Sequence, residues 1–374
     1  MNARIPAEVF PPGEFLRDEL DARNWSQIEL AEVLGRPPRL ISEIVSGKRA
    51  ITPETAKGLA AAFGTSAQLW MNLETSYQLS KANIQESVVS RRAALYSRFP
   101  VKEMVKRGWV LAAENVDVLE QNFVSFFGSE KLDQKLSFSH AAKKRTYDDP
   151  ASVIQLAWMN RAKQLAQGVL VPRKFSKEKV SAAISQLKAR RQFVESVREV
   201  PRILADAGVR VVVVERLPSL KMDGACFWLD AVSPVIALSF QYDRISNFWH
   251  TIFHEMDHIV HGEGKEKPII EEMPTNATWD SLPPEEKRCD TVALENALPQ
   301  REFEGFVARL NPLFTKADIV GFAKRMEVHP GIVVGQLHRR ELIHYSVYRE
   351  MLEKVRDIFI QSALTDGFGQ KVPF

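Results

Sequence analysis

His254, Glu255 and His258 stand in the order His-Glu-x-x-His, within His254-Glu255-Met256-Asp257-His258. Residues four apart on a helix lie one turn apart on one face. The two imidazoles can therefore offer nitrogen lone pairs to a single metal ion, with the Glu255 carboxylate beside them. The chemistry this pattern supports is metal-assisted hydrolysis: a zinc ion acidifies a water, Glu255 takes its proton, the hydroxide attacks a peptide carbonyl, and Glu255 returns the proton to the leaving amine. A catalytic zinc site needs a third protein ligand and keeps a fourth position for water. Glu286 is the expected third ligand, and Asp290, four residues on, is expected to orient a ligand histidine from behind. Glu285 stays open as an alternative to Glu286, and His261 is a weaker ligand candidate. A second donor to the oxyanion is open among Tyr345, His338 and His344.

These side chains need two helices and a sheet to hold them. Phe248, Trp249, Ile252, Phe253, Met256, Ile259 and Val260 give the motif helix a buried face, and Gly262 is a natural stop. Ser281-Leu282-Pro283-Pro284 reads as the start of the helix carrying Glu286 and Asp290, which ends before Pro299. Val209 and Val211 to Val214 form the first β-branched run, followed by Phe227-Trp228-Leu229 and Val235-Ile236-Ala237-Leu238 across a turn at 230–234. The strand from Val235 to Phe240 is expected to receive an extended substrate along an open edge.

A second kind of chemistry lies at the N-terminus. Ser26 with Glu29 forms a capping box that starts a helix through Ile28, Leu30, Ala31 and Leu34, and Gly35 supplies a turn. Pro37 and Pro38 open a second helix through Leu40, Ile41, Ile44 and Val45 that stops at Gly47. This spacing is that of a helix-turn-helix, whose second helix enters the major groove. The expected DNA contacts are Gln27, Arg36, Arg39, Ser42, Glu43, Lys48 and Arg49, with Lys48 and Arg49 on phosphates. Residues 1–74 carry 8 Lys+Arg against 10 Asp+Glu, so the expectation rests on the local cluster of Arg36, Arg39, Lys48 and Arg49.

The segments Pro11-Pro12-Gly13-Glu14-Phe15-Leu16, Trp25-Ser26-Gln27-Ile28-Glu29-Leu30-Ala31 and Ile44-Val45-Ser46-Gly47-Lys48-Arg49-Ala50-Ile51-Thr52 resemble the HigA-type antitoxins of the phage-repressor-like helix-turn-helix class, over residues 10–75. That resemblance implies an operator-binding, usually dimeric repressor, often autoregulatory; Trp70 and Leu73 fall in the family's last helix, as core. Further on, Gly224-Ala225-Cys226-Phe227-Trp228, the run from Asp243 to Glu255, Cys289-Asp290-Thr291-Val292-Ala293 through Leu298-Pro299, and His329-Pro330-Gly331-Ile332-Val333-Val334-Gly335 resemble the ImmA/IrrE zinc metallopeptidases, over residues 200–345. Members of that family often sit beside or fused to repressor-like domains, and several act on regulators of the same system. Two positions depart from the pattern. Asp257 stands where these proteases commonly have glycine, and Arg288 stands at a commonly acidic position, where its charge is expected to weaken metal binding.

The chain of 374 residues is long enough for two or three domains. The fold expected is mainly α with a small α+β domain: a five-helix bundle over 1–76, a helical connecting region over 77–200, a zincin-like domain over 201–345 and a helical extension over 346–374. A flexible join is expected at Tyr147-Asp148-Asp149-Pro150. The basic residues Arg91, Arg92, Lys143, Lys144 and Arg145 read as a solvated face, with reinforcement of phosphate contact as the alternative. A net charge of +3 does not by itself announce a nucleic-acid binder, and the two cysteines, Cys226 and Cys289, form no C-x-x-C pair and read as small core residues. Without a long apolar run or a signal segment, a cytoplasmic protein with no membrane partner is expected. Its expected partners are an operator DNA, a second copy of itself, and a protein substrate, cognate toxin or regulator; the expected cofactor is Zn2+. The functional expectation is a DNA-binding regulator whose peptidase-like domain cleaves itself or a partner, or binds metal or a protein without hydrolysis.

Overall fold

A computed structural model describes residues 10–81, 86–129, 132, 143–144, 152–265, 269–272 and 282–367. The chain divides into two compact units, residues 1–90 and 91–374.

The first unit is a bundle of five helices, α1 (Pro12–Arg23), α2 (Gln27–Leu34), α3 (Pro38–Val45), α4 (Pro53–Phe63) and α5 (Ala67–Lys81). Local chemistry sets the ends. Ser26 Oγ accepts from Glu29 N at 3.2 Å while Glu29 Oε2 accepts from Ser26 N at 2.7 Å. Two donors left over by the start of α2 are thereby satisfied reciprocally. Gly35 closes α2 in the left-handed conformation, φ 58°, which favours glycine. The core is built from Leu16, Leu20, Leu30, Ile41, Ile44, Leu59, Phe63 and Trp70. Trp70 is buried in that cluster and its Nε1 donates to Thr65 Oγ1 at 2.9 Å, while Leu73 is half-buried against it. The helix α5 runs on past residues 76 and 77 to Lys81, so the expected boundary at 76 falls inside it.

The division between units falls within α6 (Glu86–Arg98). Beyond it come α7 (Val101–Lys106), α8 (Val116–Phe127), β1 (Lys143–Lys144), α9 (Val153–Gln167), α10 (Lys177–Lys188), α11 (Val200–Asp206), β2 (Arg210–Val213), β3 (Met222–Trp228), β4 (Pro234–Leu238), α12 (Ile245–His261), β5 (Ile269–Glu272), α13 (Pro284–Ala297), α14 (Gln300–Leu310), α15 (Lys316–Arg325), α16 (Pro330–Arg339), α17 (Arg356–Phe359) and β6 (Leu364–Thr365). The expected join at 147–150, Arg145 and Ser281 lie outside the described residues.

Among the described residues, six strands run in the order β1-β5-β3-β4-β2-β6. β4 is parallel to β2 and antiparallel to β3, so both of its backbone edges are occupied. The expectation that it receives a substrate strand is therefore overturned: strand order is set by long-range pairing, and β4 has no free ladder to offer. On one face, Val211, Val213, Cys226, Trp228, Ile236 and Leu238 join the aromatic side of α12 in the unit's main core. α9 and α11 also pack on β2, and the buried Trp158 indole donates to Val214 O at 2.7 Å. α12 lies across β3 and β4 and packs along α13 and α16. Its start is anchored by Asp243 Oδ1, which accepts from the backbone of Val355 and Arg356 at 2.8 and 2.9 Å; Gly262 ends it at φ 73°. No described helix is long and apolar enough to cross a membrane.

Candidate functional site

In the second unit, α12 presents His254 and His258 on the side facing α13, and Glu286 enters from the first turn of α13. His254 Nε2 lies 3.1 Å from His258 Nε2 and 3.2 Å from Glu286 Oε2, and His258 Nε2 lies 3.6 Å from Glu286 Oε1. Tetrahedral zinc with bonds of about 2.0–2.1 Å spaces its ligands about 3.3 Å apart, so the three donors have the separations such an ion needs. Behind the rings, His254 Nδ1 faces Asp290 Oδ1 at 3.1 Å and His258 Nδ1 donates to Glu263 Oε2 at 2.6 Å. Carboxylates at both Nδ1 atoms leave the two Nε2 lone pairs aimed at one region, the tautomer a metal site requires.

The electrostatics also fit a cation. Burial disfavours a charged His258 ring, but hydrogen bonds with Glu263 and Glu286 outweigh it and raise the pKa to about 9. Glu286 is buried as well, yet its hydrogen bonds with His254 and His258 hold its carboxyl far below the usual range. Such a field stabilises a proton or, in its place, a metal ion. Glu285 is half-exposed, and His261 turns its Nδ1 to the carbonyl of Asp257 at 2.9 Å. Cys289 Sγ stands near the histidines, but it contacts His258 Nδ1 at 3.4 Å, on the side of the ring turned away from His254, and burial pushes its thiol pKa upward. A neutral thiol so placed is a poor ligand.

Glu255 is fully buried. A Cβ on Gly224 would stand 2.7 Å from Thr251 Cγ2 and 3.0 Å from Glu255 Oε1. Only glycine therefore lets β3 approach α12 this closely beside the carboxylate.

The two departures from the peptidase pattern answer each other. Arg288 Nε donates to Asp257 Oδ2 at 2.8 Å, and Arg288 Nη2 donates to Glu263 Oε2 at 2.8 Å. Arg288, whose like charge is expected to weaken metal binding, thus has its guanidinium paired with two acids, one of which orients His258. Glu263 was missed by sequence reasoning, and its only signal was an acid directly after the helix-ending Gly262. Also missed were Arg339 Nη2, which donates to Asp290 Oδ2 at 3.2 Å, and His250, whose Nε2 accepts from Arg339 Nη1 at 2.7 Å. His338 is held at Val347 O (2.9 Å), His344 at Ser346 Oγ (2.7 Å), and Tyr345 is exposed.

In the first unit, Gln27 stands at the start of α2; Gln27, Arg36, Arg39, Ser42, Lys48 and Arg49 are exposed, and Glu43 is half-buried. Glu43 bridges two of the cations, accepting from Arg39 Nε at 2.7 Å and Arg49 Nη1 at 3.2 Å, while Arg36 pairs with Glu54. The Arg39 hydrogen bond is the main cause that lowers the Glu43 pKa. Glu74 was missed: its buried carboxylate accepts from Ile51 N at 2.9 Å and pins the end of the loop carrying Lys48 and Arg49.

The capped α2, the Gly35 turn and the exposed face of α3 define a helix-turn-helix domain, and residues 16–70 match the helix-turn-helix family HTH_3. Over 71 residues the chain is 37% identical to an uncharacterized HTH-type transcriptional regulator, YddM, of Escherichia coli K12, spanning 19% of this chain and 76% of that protein. Virulence-associated protein I of Dichelobacter nodosus is 44% identical over 72 residues, 19% of this chain and 67% of its own length. Among solved structures, the Pseudomonas aeruginosa antitoxin HigA with the higBA promoter is 39% identical, covering 20% of this chain and 83% of HigA, at a TM-score of 0.20. Through this N-terminal domain, about a fifth of its length, the chain belongs to the helix-turn-helix family of HTH-type transcriptional regulators.

Proposed function

We propose that this chain is an operator-binding regulator of the antitoxin type whose second unit is a zinc-dependent endopeptidase of the ImmA/IrrE kind, acting on itself or on a partner regulator. For the first unit, support comes from the family match and from the exposed cations on and after α3, where backbone and base contacts of a helix-turn-helix fall. Arg39 is the side chain set to reach a base edge, and Lys48 and Arg49 to reach phosphates. A homodimer is proposed from the resemblance to the usually dimeric HigA-type repressors.

The observation that carries the second half is the convergence of His254 Nε2, His258 Nε2 and the Glu286 carboxylate within 3.1–3.6 Å of one another. His254, His258 and Glu286 would hold zinc, which when bound acidifies a water and polarises a peptide carbonyl. Glu255 holds the proton at its carboxylate and returns it to the leaving amine. Asp290 and Glu263 keep the two rings turned so that Nε2 faces the centre.

The deciding experiment is metal content per purified chain, wild type beside His254→Ala/His258→Ala. About one zinc in the wild type and none in the variant is the expected result; none in either, with zinc supplied, rejects the metal centre. A second reading, metal or partner binding without hydrolysis, is favoured by the complete burial of His254, Glu255 and His258. Glu255→Gln separates the two, because it removes the base and leaves all three ligands: regulation in cells unchanged by it rejects proteolysis.

A further inference from the structure

A cavity of about 310 Å³ opens beside the candidate centre, between the start of β3, the first half of α12, the end of α13 and α16. Its wall includes His250 and Thr251, each one helical turn before His254 and Glu255, so it adjoins the buried base and ligands along α12. Its size is at the low end of ligand pockets and suits a side chain rather than a cofactor.

Leu294, Ala297, Ile332 and Leu352 supply an apolar lining, which strengthens any charge interaction made there. Two arginines share this wall and differ in what they face. Arg339 is committed to Asp290 and to His250 Nε2. Arg244, half-buried at the entry to α12, has no side-chain hydrogen bond or ion pair among the described residues. The one acid in the lining is Asp223. A part-buried guanidinium beside apolar walls is complemented by a carboxylate arriving with the ligand.

Resting on the peptidase reading, we propose that this cavity is the subsite that selects the substrate: it takes an acidic side chain of the peptide, whose carboxylate pairs with Arg244, next to the bond presented to Glu255.

The test uses the full zinc-loaded chain and a library of blocked octapeptides randomised at every position, with the cut sites read by mass spectrometry. Expected is a preference of about tenfold for Asp or Glu over Asn or Gln at one fixed position from the cut, the scale of one partly buried charge pair. Arg244→Gln flattens that preference, Arg244→Lys retains it, and Arg244→Glu shifts it to Lys or Arg, with zinc content per chain equal across the variants. Cleavage with one and the same profile in wild type, Arg244→Gln and Arg244→Glu overturns the subsite. Absence of cleavage by the wild type rejects the peptidase reading instead. The subsite is then judged by capturing the same library on the Glu255→Gln protein: enrichment of acidic peptides that Arg244→Gln abolishes keeps it as a binding site, and no acidic enrichment overturns it.

Discussion

His258 donates from Nδ1 to a carboxylate that is itself held by an arginine, and this chain of contacts makes a prediction that composition alone would reverse. Glu263 lies outside α12, yet at 2.6 Å it fixes the tautomer and the tilt of the ring. Glu263→Gln keeps the shape and removes the charge; a weakening of zinc affinity by about 10–100-fold is expected, measured by competition with a chromophoric chelator. Arg288→Gln is expected to weaken zinc binding as well, although it removes a positive charge from the neighbourhood of the metal, because Glu263 and the buried Asp257 lose their common partner. Tighter binding in that variant would mean that through-space repulsion outweighs positioning. The same logic applies to Glu43. Freed from Glu43, Arg39 and Arg49 gain charge toward phosphate but lose a fixed direction. Glu43→Ala should therefore raise affinity for random-sequence DNA by about threefold to tenfold and narrow the gap to the operator. Gel-shift titrations on both DNAs read the two changes separately.

At the scale of elements, α16 shows how a titratable cap makes stability depend on pH. His329 is its N-cap: Nδ1 accepts from Gly331 N at 3.1 Å, which a protonated nitrogen cannot do, and Nε2 faces Glu353 at 3.1 Å. Burial lowers the His329 pKa below its ordinary value of 6.5, against the opposing pull of Glu353. With the folded pKa below the unfolded one, the unfolded chain binds the proton more readily, so stability is full above pH of about 6.5 and falls as pH drops through that value. His329→Asn supplies a cap that does not titrate, and its unfolding midpoint should lose less than that of the wild type between pH 7 and 5; parallel curves would reject the capping account. Elements with local signals were the ones legible in the sequence. α2 and α3 follow from Ser26, Glu29, Gly35 and the two prolines, and α12 from its apolar spacing and Gly262. What escaped depends on chain segments far apart. β1 and β6 have two residues each, too few for any periodicity, and β4 read as an edge because its partners on both sides are fixed only by the folded sheet. The ligand spacing of His254 and His258 is visible along one helix, whereas Arg339 reaches Asp290 only because α16 packs against α12.

At the scale of the whole molecule, the two units have separate cores, one on Leu16, Ile41 and Trp70, the other on Trp249, Phe303 and Phe359 with the sheet. Sites carried by separate cores should respond additively to substitution. Arg39→Ala is expected to weaken binding to an operator recovered by selection from genomic fragments, at unchanged zinc content, by the factor of about 5 to 150 that one good base contact contributes. His254→Ala/His258→Ala is expected to abolish zinc binding and leave operator affinity within about twofold. Combined, the substitutions should give both losses and no more. The informative departure is one-sided: a chain that releases its operator when zinc is chelated, or when an acidic peptide is added, would couple the second unit's state to the grip of α3. By reciprocity, operator DNA would then alter zinc or peptide affinity by the same factor, and titrating either ligand in the presence of the other measures it.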